Sequence, residues 1–417
     1  MLSKTPAKGM RDFLPKEFAL RQQVMSVIQR TYESYGFSRI ETPPVENISL
    51  LTSKQGGDNE KLIFKILKRG EKLQNATDDE LCDLGLRYDL TVPLARFYAN
   101  NQGQLPSVFK AMQMDSVFRA DRPQRGRFRQ FTQCDIDVIG EPSNLAEIEL
   151  ITATTDALSR LGFNNVTVRL SDRRLLNALA EKCGFTDEQK PSVFIALDKL
   201  DKIGINGVME EVEQIAHGKA AGFIDTIGRI TASGNPFKAC VDELGEYLPD
   251  EVRANIEEIL AVTKQTVKCG RVVFDVTLVR GMGYYTGTIY EVSSEGLSSA
   301  IAGGGRYDKM IGRLTGQDVP ACGFSIGFER IVLLMQERGV EAPQTCGVAL
   351  LIDKKTDVKT RTEVMQVCAQ MRQKKNVALF TKIKNFSYQL KQLREQGYAE
   401  IYEFRNGALT LIENNGN

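Results

Sequence analysis

The sequence predicts an α+β fold: a strand-bearing core, a helical insertion within it, and a small C-terminal α/β domain. Three observations predict it. Runs of strand pattern recur between about residues 62 and 171 and resume at about 272. Residues 172–268 between them are helical in period, richer in charge, and interrupted by Gly204, Gly207, Gly218, Gly222 and Gly234. From Gly347 onward strands and helices alternate, as in a small α/β layer. The expected domains are 1–171 and 269–335 as two parts of one core, 172–268 as the insertion, and 343–417 at the end. A chain of 417 residues is too long for one ordinary core.

The bulk properties exclude more than they assign. Hydrophobic content of 42% and charged content of 26% are those of a folded soluble protein. The net charge is +1, so a polyanion partner requires a local patch. Eight cysteines occur without a Cys-x-x-Cys pair, which argues against a zinc or redox motif, and no metal ligands are expected. No apolar run is long enough to span a bilayer and no secretory leader is evident, so a reduced, cytoplasmic enzyme with no membrane partner is expected. The single histidine, His217, lies in a polar helical stretch and reads as a surface residue. Mechanisms that need a histidine base are nearly excluded.

The elements follow in order. After Lys8-Gly-Met-Arg-Asp-Phe-Leu-Pro15 a helix is expected from about Glu17, with Val24, Ile28, Thr31 and Tyr35 on one face and Gly36 as its stop. Two prolines make Ile40–Glu46 an edge strand or extended arm, read equally as a dimer contact or a domain edge. Leu62–Leu67 and Gly85–Thr91 read as short strands, with a turn at Arg69-Gly70. Five arginines then fall between Arg119 and Arg129, followed by the alternating segment Gln133–Ile139. With Pro123 and Gly126 as the loop, this reads as an arginine-lined β-hairpin that places Arg127 and Arg129 on one face, suited to phosphates. Ala146–Leu161 is an amphipathic helix and Val166–Leu170 a strand. Beyond the insertion, strands are expected at Val272–Val279 and Thr288–Val292, and a helix starts near Glu329-Arg330. The terminal domain reads as strand Val348–Ile352, helix Lys359–Lys374, strand Val377–Phe380, helix Phe386–Gln396 and two further strands. Between Asp353 and Glu395 eleven Lys/Arg stand against four Asp/Glu, which fits an RNA partner or solvated helix faces equally well.

Four segments carry chemistry. In Leu86-Arg-Tyr-Asp-Leu-Thr-Val-Pro93, strand alternation puts Asp89 and Thr91 on one side, a carboxylate and hydroxyl able to hold an ammonium group or simply a polar sheet face. The arginine hairpin is the second. In Arg280-Gly-Met-Gly-Tyr-Tyr-Thr-Gly287, glycines permit close backbone approach to a ligand, while Tyr284 and Tyr285 are expected on opposite faces. The fourth pairs Ala302-Gly-Gly-Gly-Arg-Tyr-Asp308 with Gly323-Phe-Ser-Ile-Gly-Phe-Glu-Arg330, a glycine-rich strand leading into a helix. No Gly-Lys-Ser/Thr follows and no dinucleotide fingerprint is present.

Taken in order, these segments resemble a class II aminoacyl-tRNA synthetase, and within that class the histidyl-tRNA synthetase family. Lys8-Gly-Met-Arg-Asp12 and the segment around Pro43 match the family's start and first motif, Phe118–Gln133 its second, and Gly323–Arg330 its third. Arg280–Gly287 and Ala302–Asp308 are similar to the two segments peculiar to the histidine enzymes. The resemblance implies the class II antiparallel sheet with flanking helices. It implies a homodimer that activates L-histidine with ATP to histidyl-adenylate and transfers it to the 3′ end of the histidine tRNA. ATP is then a substrate and Mg²⁺ is carried mainly by it. Arg119 would grip the α-phosphate, Arg127 a distal phosphate and Arg330 the γ-phosphate, with Asp121 in the same ATP-binding set. Asp89 and Thr91 would hold the α-ammonium with Gln133 ordering that end, and Asp137 the imidazole N–H beside Tyr285 and Tyr307, with Leu90, Tyr284 and Arg280 also in the histidine-binding set. Arg280 would face Arg119 across the reacting phosphorus. The chain departs from the family's usual His or Tyr at Thr132 and Asp at Gly283, and its terminal domain is short. Two rivals are a histidine-sensing regulatory subunit of ATP phosphoribosyltransferase and a pure RNA-binding protein. Intact Arg119, Arg280 and Arg330 oppose the first, and the Asp89, Gln133 and Asp137 set opposes the second.

Overall fold

The computed structural model describes residues 4–52, 61–77, 81–279, 283–297, 299–342 and 347–414. The chain forms two compact units, Met1–Val340 and Glu341–Asn417.

The strands of the first unit are β1 (Ser38–Arg39), β2 (Val45–Asn47), β3 (Lys65–Leu67), β4 (Cys82–Leu86), β5 (Phe109–Phe118), β6 (Gln130–Ile139), β7 (Val166–Asp172), β8 (Arg271–Phe274), β9 (Thr288–Ser294), β10 (Ala302–Arg306) and β11 (Ala321–Gly327). Eight of them build one sheet in the order β1-β5-β6-β11-β10-β9-β7-β8, and β2-β4-β3 form a small second sheet. Every neighbouring pair from β5 to β7 is antiparallel. The outer strands β1 and β8 run parallel to β5 and β7.

Side chains alternate across a strand, so β6 has two characters. Cys134, Ile136 and Val138 point to one face and are fully buried. The helix Phe328–Glu337 packs on β6 and the helix Leu145–Arg160 on β11. The helix Pro15–Ser34, whose buried stripe includes Leu20, Val24 and Ile28, lies against Leu145–Arg160. The opposite face of β6 carries Gln133, Asp135 and Asp137. The chain is therefore apolar on the helix-covered side and polar on the other.

Three expected strands are shorter than their sequence pattern. β4 stops at Leu86, because Asp89 Oδ1 accepts the Val92 N–H at 3.1 Å and turns the chain into the helix Thr91–Asn101. Pro93 is tolerated in that first turn, where its missing N–H would have had no helical partner. β8 stops at Phe274, because Asp275 Oδ1 accepts both the amide (2.8 Å) and the hydroxyl (2.7 Å) of Thr277. β3 begins only at Lys65.

Six helices separate β7 from β8: Arg173–Lys182, Lys190–Leu197, Leu200–Ile215, Ala220–Thr231, Pro236–Leu244 and Asp250–Thr266. Gly204 has φ +68° and kinks the third. His217, after the same helix, is exposed.

In the second unit, β12 (Gly347–Ile352), β13 (Val377–Thr381), β14 (Tyr398–Arg405) and β15 (Ala408–Asn414) form a sheet in the order β13-β12-β14-β15. β12 alternates between two cores. Val348 and Leu350 pack with Val364 and Cys368 of the helix Val358–Arg372. Ala349 and Leu351 pack with Leu390 and Leu393 of Phe386–Glu395. The β14–β15 hairpin closes on Asn406-Gly407, both at positive φ (51° and 77°), as a tight hairpin turn demands.

One buried ion pair fastens the glycine-rich part of the main sheet to its helices. Arg306 on β10 donates through Nε to Glu147 Oε1 (2.7 Å) and through Nη2 to Oε2 (2.6 Å). Both residues are buried. Removing Glu147 takes the bidentate partner from the buried guanidinium and leaves it Asp308 and the Ser143 and Glu141 carbonyls, a loss of about 3 kcal/mol, at the low end for a broken buried pair. Glu147→Ala should therefore lower the urea midpoint by the equivalent amount without changing the slope, whereas Glu149→Ala, whose Lys110 pair is partly exposed, should cost under about 1 kcal/mol.

Candidate active site

The polar face of β6 forms one side of a pocket, and the register decides what lies beside it. Asp137 is opposite Gly323 of β11, Asp135 opposite Ser325, and Gln133 opposite Gly327. β10 continues the floor, with Gly305 opposite Gly323 and Gly303 opposite Ser325. These glycines are spaces already in use. A Cβ on Gly323 would stand 2.0 Å from Asp137 Oδ1, and one on Gly305 would stand 2.8 Å from Tyr285 Cδ1. The floor is bare so that an acid and an aromatic ring can lie over it.

Asp89 and Thr91 enter at the N-terminus of the helix Thr91–Asn101 rather than from a strand. Both line the pocket, as do Arg119, Asp121, Arg127, Gln133, Asp137, Tyr284, Tyr285, Tyr307 and Arg330. Residues from the four expected segments are thus brought together. Leu90 is fully buried and does not line the pocket; its carbonyl accepts from Gln113 Nε2 at 3.0 Å. Arg280 lies outside the described residues.

The arginine hairpin differs from the expected ribbon. β5 ends at Phe118 and β6 begins at Gln130, so all five arginines sit in the connecting loop. Arg127 and Arg129 do not share a strand face. Arg127 pairs with Asp121 at 3.1 Å, while Arg129 Nε donates to the Asp121 carbonyl at 3.1 Å. Gly126 at φ +70° permits the loop's tight turn. Arg119 Nε donates to the Tyr88 carbonyl at 2.8 Å, and its guanidinium lies 5.2 Å from the Phe131 ring centroid. Tyr284 and Tyr285 do not point to opposite faces. They precede β9 in a turn, with ring centroids 4.8 Å apart, and Tyr284 lies 6.0 Å from Tyr307.

The electrostatics are those of a cation site beside an anion site. Asp89, Asp135 and Asp137 are exposed by only 2%, 4% and 3%. Burial raises the Asp89 carboxyl to about 6, with the Val92 amide and Arg119 opposing. Burial raises Asp137 to about 7, with the Tyr307 hydroxyl, which donates to Oδ1 at 2.6 Å, opposing. Asp135 is pushed well up by burial and then by Asp137. Burial also holds the Tyr284 and Tyr307 hydroxyls far above the usual phenol range, so both remain donors. Asp89 Oδ2 and Gln133 Oε1 are buried and accept no hydrogen bond among the described residues.

Asp135 escaped the reading of the sequence, although its signal was there: it is the middle member of Gln133, Asp135, Asp137 at period two. Its carboxylate lies 3.3 and 3.4 Å from Gln133 Nε2, which also reaches Ser325 Oγ at 3.2 Å. This turns the Gln133 carbonyl oxygen away from both. Glu329 was noted only for its place in a helix's first turn. It lines the pocket and accepts two bonds from Arg21 (2.6 and 2.8 Å) and one from the Thr132 amide (3.2 Å). Its partners come from distant segments, so no local pattern marks it.

A family model described as histidyl-tRNA synthetase matches residues 9–331. The histidine–tRNA ligase of Leifsonia xyli subsp. xyli is 48% identical over 360 residues, covering 82% of this chain and 81% of its own. That of the archaeon Aeropyrum pernix is 40% identical over 343 residues, covering 80% and 75%. Among solved structures, a histidyl-tRNA synthetase from a Nostoc species superposes with a TM-score of 0.79 at 26% identity, over 99% of this chain and 97% of that one. A Bacillus halodurans protein titled an ATP phosphoribosyltransferase regulatory subunit/histidyl-tRNA synthetase has a TM-score of 0.77 over 97% and 98% of the two chains, but at 20% identity its likeness is one of fold. The sheet, the convergent segments and the extent of these matches agree: the chain belongs to the histidyl-tRNA synthetase family.

Proposed function

We propose that the protein activates L-histidine with ATP and transfers it to the histidine tRNA, and that the pocket on the polar face of β6 is where it does so. One observation carries the assignment. Two buried acceptors, Asp89 Oδ2 and Gln133 Oε1, have no donor among the described residues, and they share a pocket with Arg119, Arg127 and Arg330. Leaving buried acceptors unmade costs about 1–3 kcal/mol each, so a ligand with several N–H donors belongs there. An amino acid's ammonium group supplies them, and the arginines suit the phosphates of ATP.

In this reading Asp89, Thr91 and Gln133 hold the ammonium, and Asp137 takes the imidazole N–H between Tyr285 and Tyr307. Arg119 faces the α-phosphate, and Arg127 and Arg330 the phosphates beyond it. The histidine carboxylate attacks the α-phosphorus and pyrophosphate leaves; a ribose hydroxyl of the tRNA then attacks the acyl carbon and AMP leaves. The nucleophile is a carboxylate already ionised at neutral pH, so the first step needs no protein base. The rate derives from positioning and charge stabilisation. Among the described residues no three His, Cys, Asp or Glu side chains group as metal ligands, and Glu329 is already engaged by arginines. In this reading Mg²⁺ is carried mainly by ATP. We also propose a homodimer, residues 172–268 as an insertion domain, and a cytoplasmic location. No helix among the described residues is long and apolar enough to cross a membrane. The sensor reading is weaker, since Arg119 and Arg330 reach the pocket and a second unit follows.

Histidine-dependent ATP–pyrophosphate exchange followed by tRNA charging tests the assignment. Exchange absent while histidine still binds would favour the sensor, and loss of both would sink the synthetase reading. Arg280→Ala should keep histidine affinity within about fivefold while abolishing exchange, because the residue, although placed among those that bind histidine, is assigned chiefly to the reacting phosphorus. Surviving exchange removes that role.

The raised carboxyls give a pH test. Asp89 and Asp137 ionise near 6 and 7 in the ligand-free chain, and only the ionised forms match an ammonium or accept an N–H fully. kcat/KM for histidine, corrected for the substrate imidazole that itself titrates at about 6.5, should climb between about pH 5.5 and 7.5, since that ratio reports the free enzyme and free substrate. Stability should move oppositely. Unfolded Asp titrates near 3.9, so between about pH 4 and 7 the native state binds more protons and loses stability as pH rises. Asp137→Asn should accordingly raise the stability of the ligand-free chain at pH 8 by about 2–4 kcal/mol in urea unfolding, while destroying histidine binding.

A further inference from the structure

We infer that the N-terminal segment Lys8–Phe13 is a strap that positions the arginine loop on the ATP side of the pocket, with Arg11 as its positioning residue. The inference rests on the synthetase reading of that pocket.

The strap is tied to the loop through backbone. The Gly9 carbonyl accepts the Arg129 N–H at 2.9 Å, and the Arg129 carbonyl accepts the Arg119 N–H at 2.9 Å. Arg129 thus links the strap to the residue assigned to the α-phosphate. Gly9 is at φ +83°, and a Cβ there would stand 2.7 Å from Arg129 Cγ and 2.9 Å from Pro123 Cγ. Any side chain at this position would push the strap off the loop.

Arg11 makes the second tie. Its guanidinium lies 3.8 Å from the ring centroid of Phe128, a loop residue that lines the pocket. The same group donates to Glu329 Oε2 at 3.0 Å, beside Arg330 in the first turn of the helix Phe328–Glu337. One cation therefore bridges the loop that carries Arg119 and Arg127 to the helix that carries Arg330. Arg11 is not what keeps Glu329 neutralised. Arg21 already does so through two bonds, and it is far more buried than Arg11, whose side chain is 34% exposed. Losing Arg11 leaves the buried pair intact and removes only the bridge. The loop would then be held by the Ala120 amide on the Leu62 carbonyl, Arg119 on the Tyr88 carbonyl and the exposed Arg125–Glu337 pair, with the strap tied to it by Arg129 on the Gly9 and Lys8 carbonyls.

The test uses the full-length chain in ATP–pyrophosphate exchange, with ATP and histidine varied separately and ATP binding measured by calorimetry. For Arg11→Ala the KM and Kd for ATP should rise on the order of tenfold, as fits a part-exposed cation–π contact with one charge-assisted bond. The KM for histidine should stay within about twofold and the melting temperature near that of the parent. Arg11→Lys should recover most of the loss. Gly9→Ala, which changes no charge, should give the same ATP-selective defect. The strap is refuted if Arg11→Ala leaves ATP affinity unchanged, if both KM values rise together, or if lysine is no better than alanine. A parent chain that binds ATP without exchange overturns the synthetase reading while the ATP Kd ratio still judges the strap. A parent that does neither overturns both.

Discussion

The close approach of Asp137 to Gly323 governs the first unit. The carboxylate occupies the place where a β11 side chain would be, and Tyr307 fixes it with a 2.6 Å bond to the same oxygen. That contact requires β6 and β11 to pair in this register, which in turn sets Asp135 against Ser325 and Gln133 against Gly327. The glycines of β10 extend the same clearance to Tyr285. The sheet is thus most constrained where it has least side chain.

The cost of this arrangement is electrostatic. Burial raises all three carboxyls, Asp137 and Asp89 raise Asp135 further and Asp89 raises Asp137, and the described structure gives them hydrogen-bond donors for only part of their oxygens. The remaining frame is stabilised elsewhere: the Arg306–Glu147 pair fastens β10 to the helical layer, and Arg21 holds Glu329 beneath the loop. The pocket is preorganised by pairs that are already satisfied within the protein, so Asp89 and Gln133 can keep an open acceptor until a substrate arrives.

Much of this was legible in the sequence. Period-two alternation marked β6, helical period marked Pro15–Ser34 and Leu145–Arg160, and the ordered motifs named the pocket's walls. Errors arose where short-range hydrogen bonds override pattern. Asp89 and Asp275 each capture amides a few residues on, ending strands that the apolar residues alone would extend. The arginine run was read as strand because alternation continued into it, yet Asp121 draws Arg127 and Arg129 into a loop. Leu90 was grouped with its neighbours by adjacency alone, and it belongs to the core. Asp135 was visible and overlooked. The partners of Glu329 were not visible, since Arg21 and Thr132 lie far from it along the chain.

β6 presents Gln133, Asp135 and Asp137 to the pocket and Cys134, Ile136 and Val138 to the helices. A single-residue insertion or deletion within the strand would exchange the two rows beyond it, placing carboxylates against the helical core and apolar groups in the pocket. The strand is therefore locked in length while remaining open to substitution. Change in this family's site can proceed residue by residue along β6, but lengthening is accommodated only in the loop before it. The chemistry of the pocket and the reach of the arginines can then diverge independently, one by point replacement and the other by loop length.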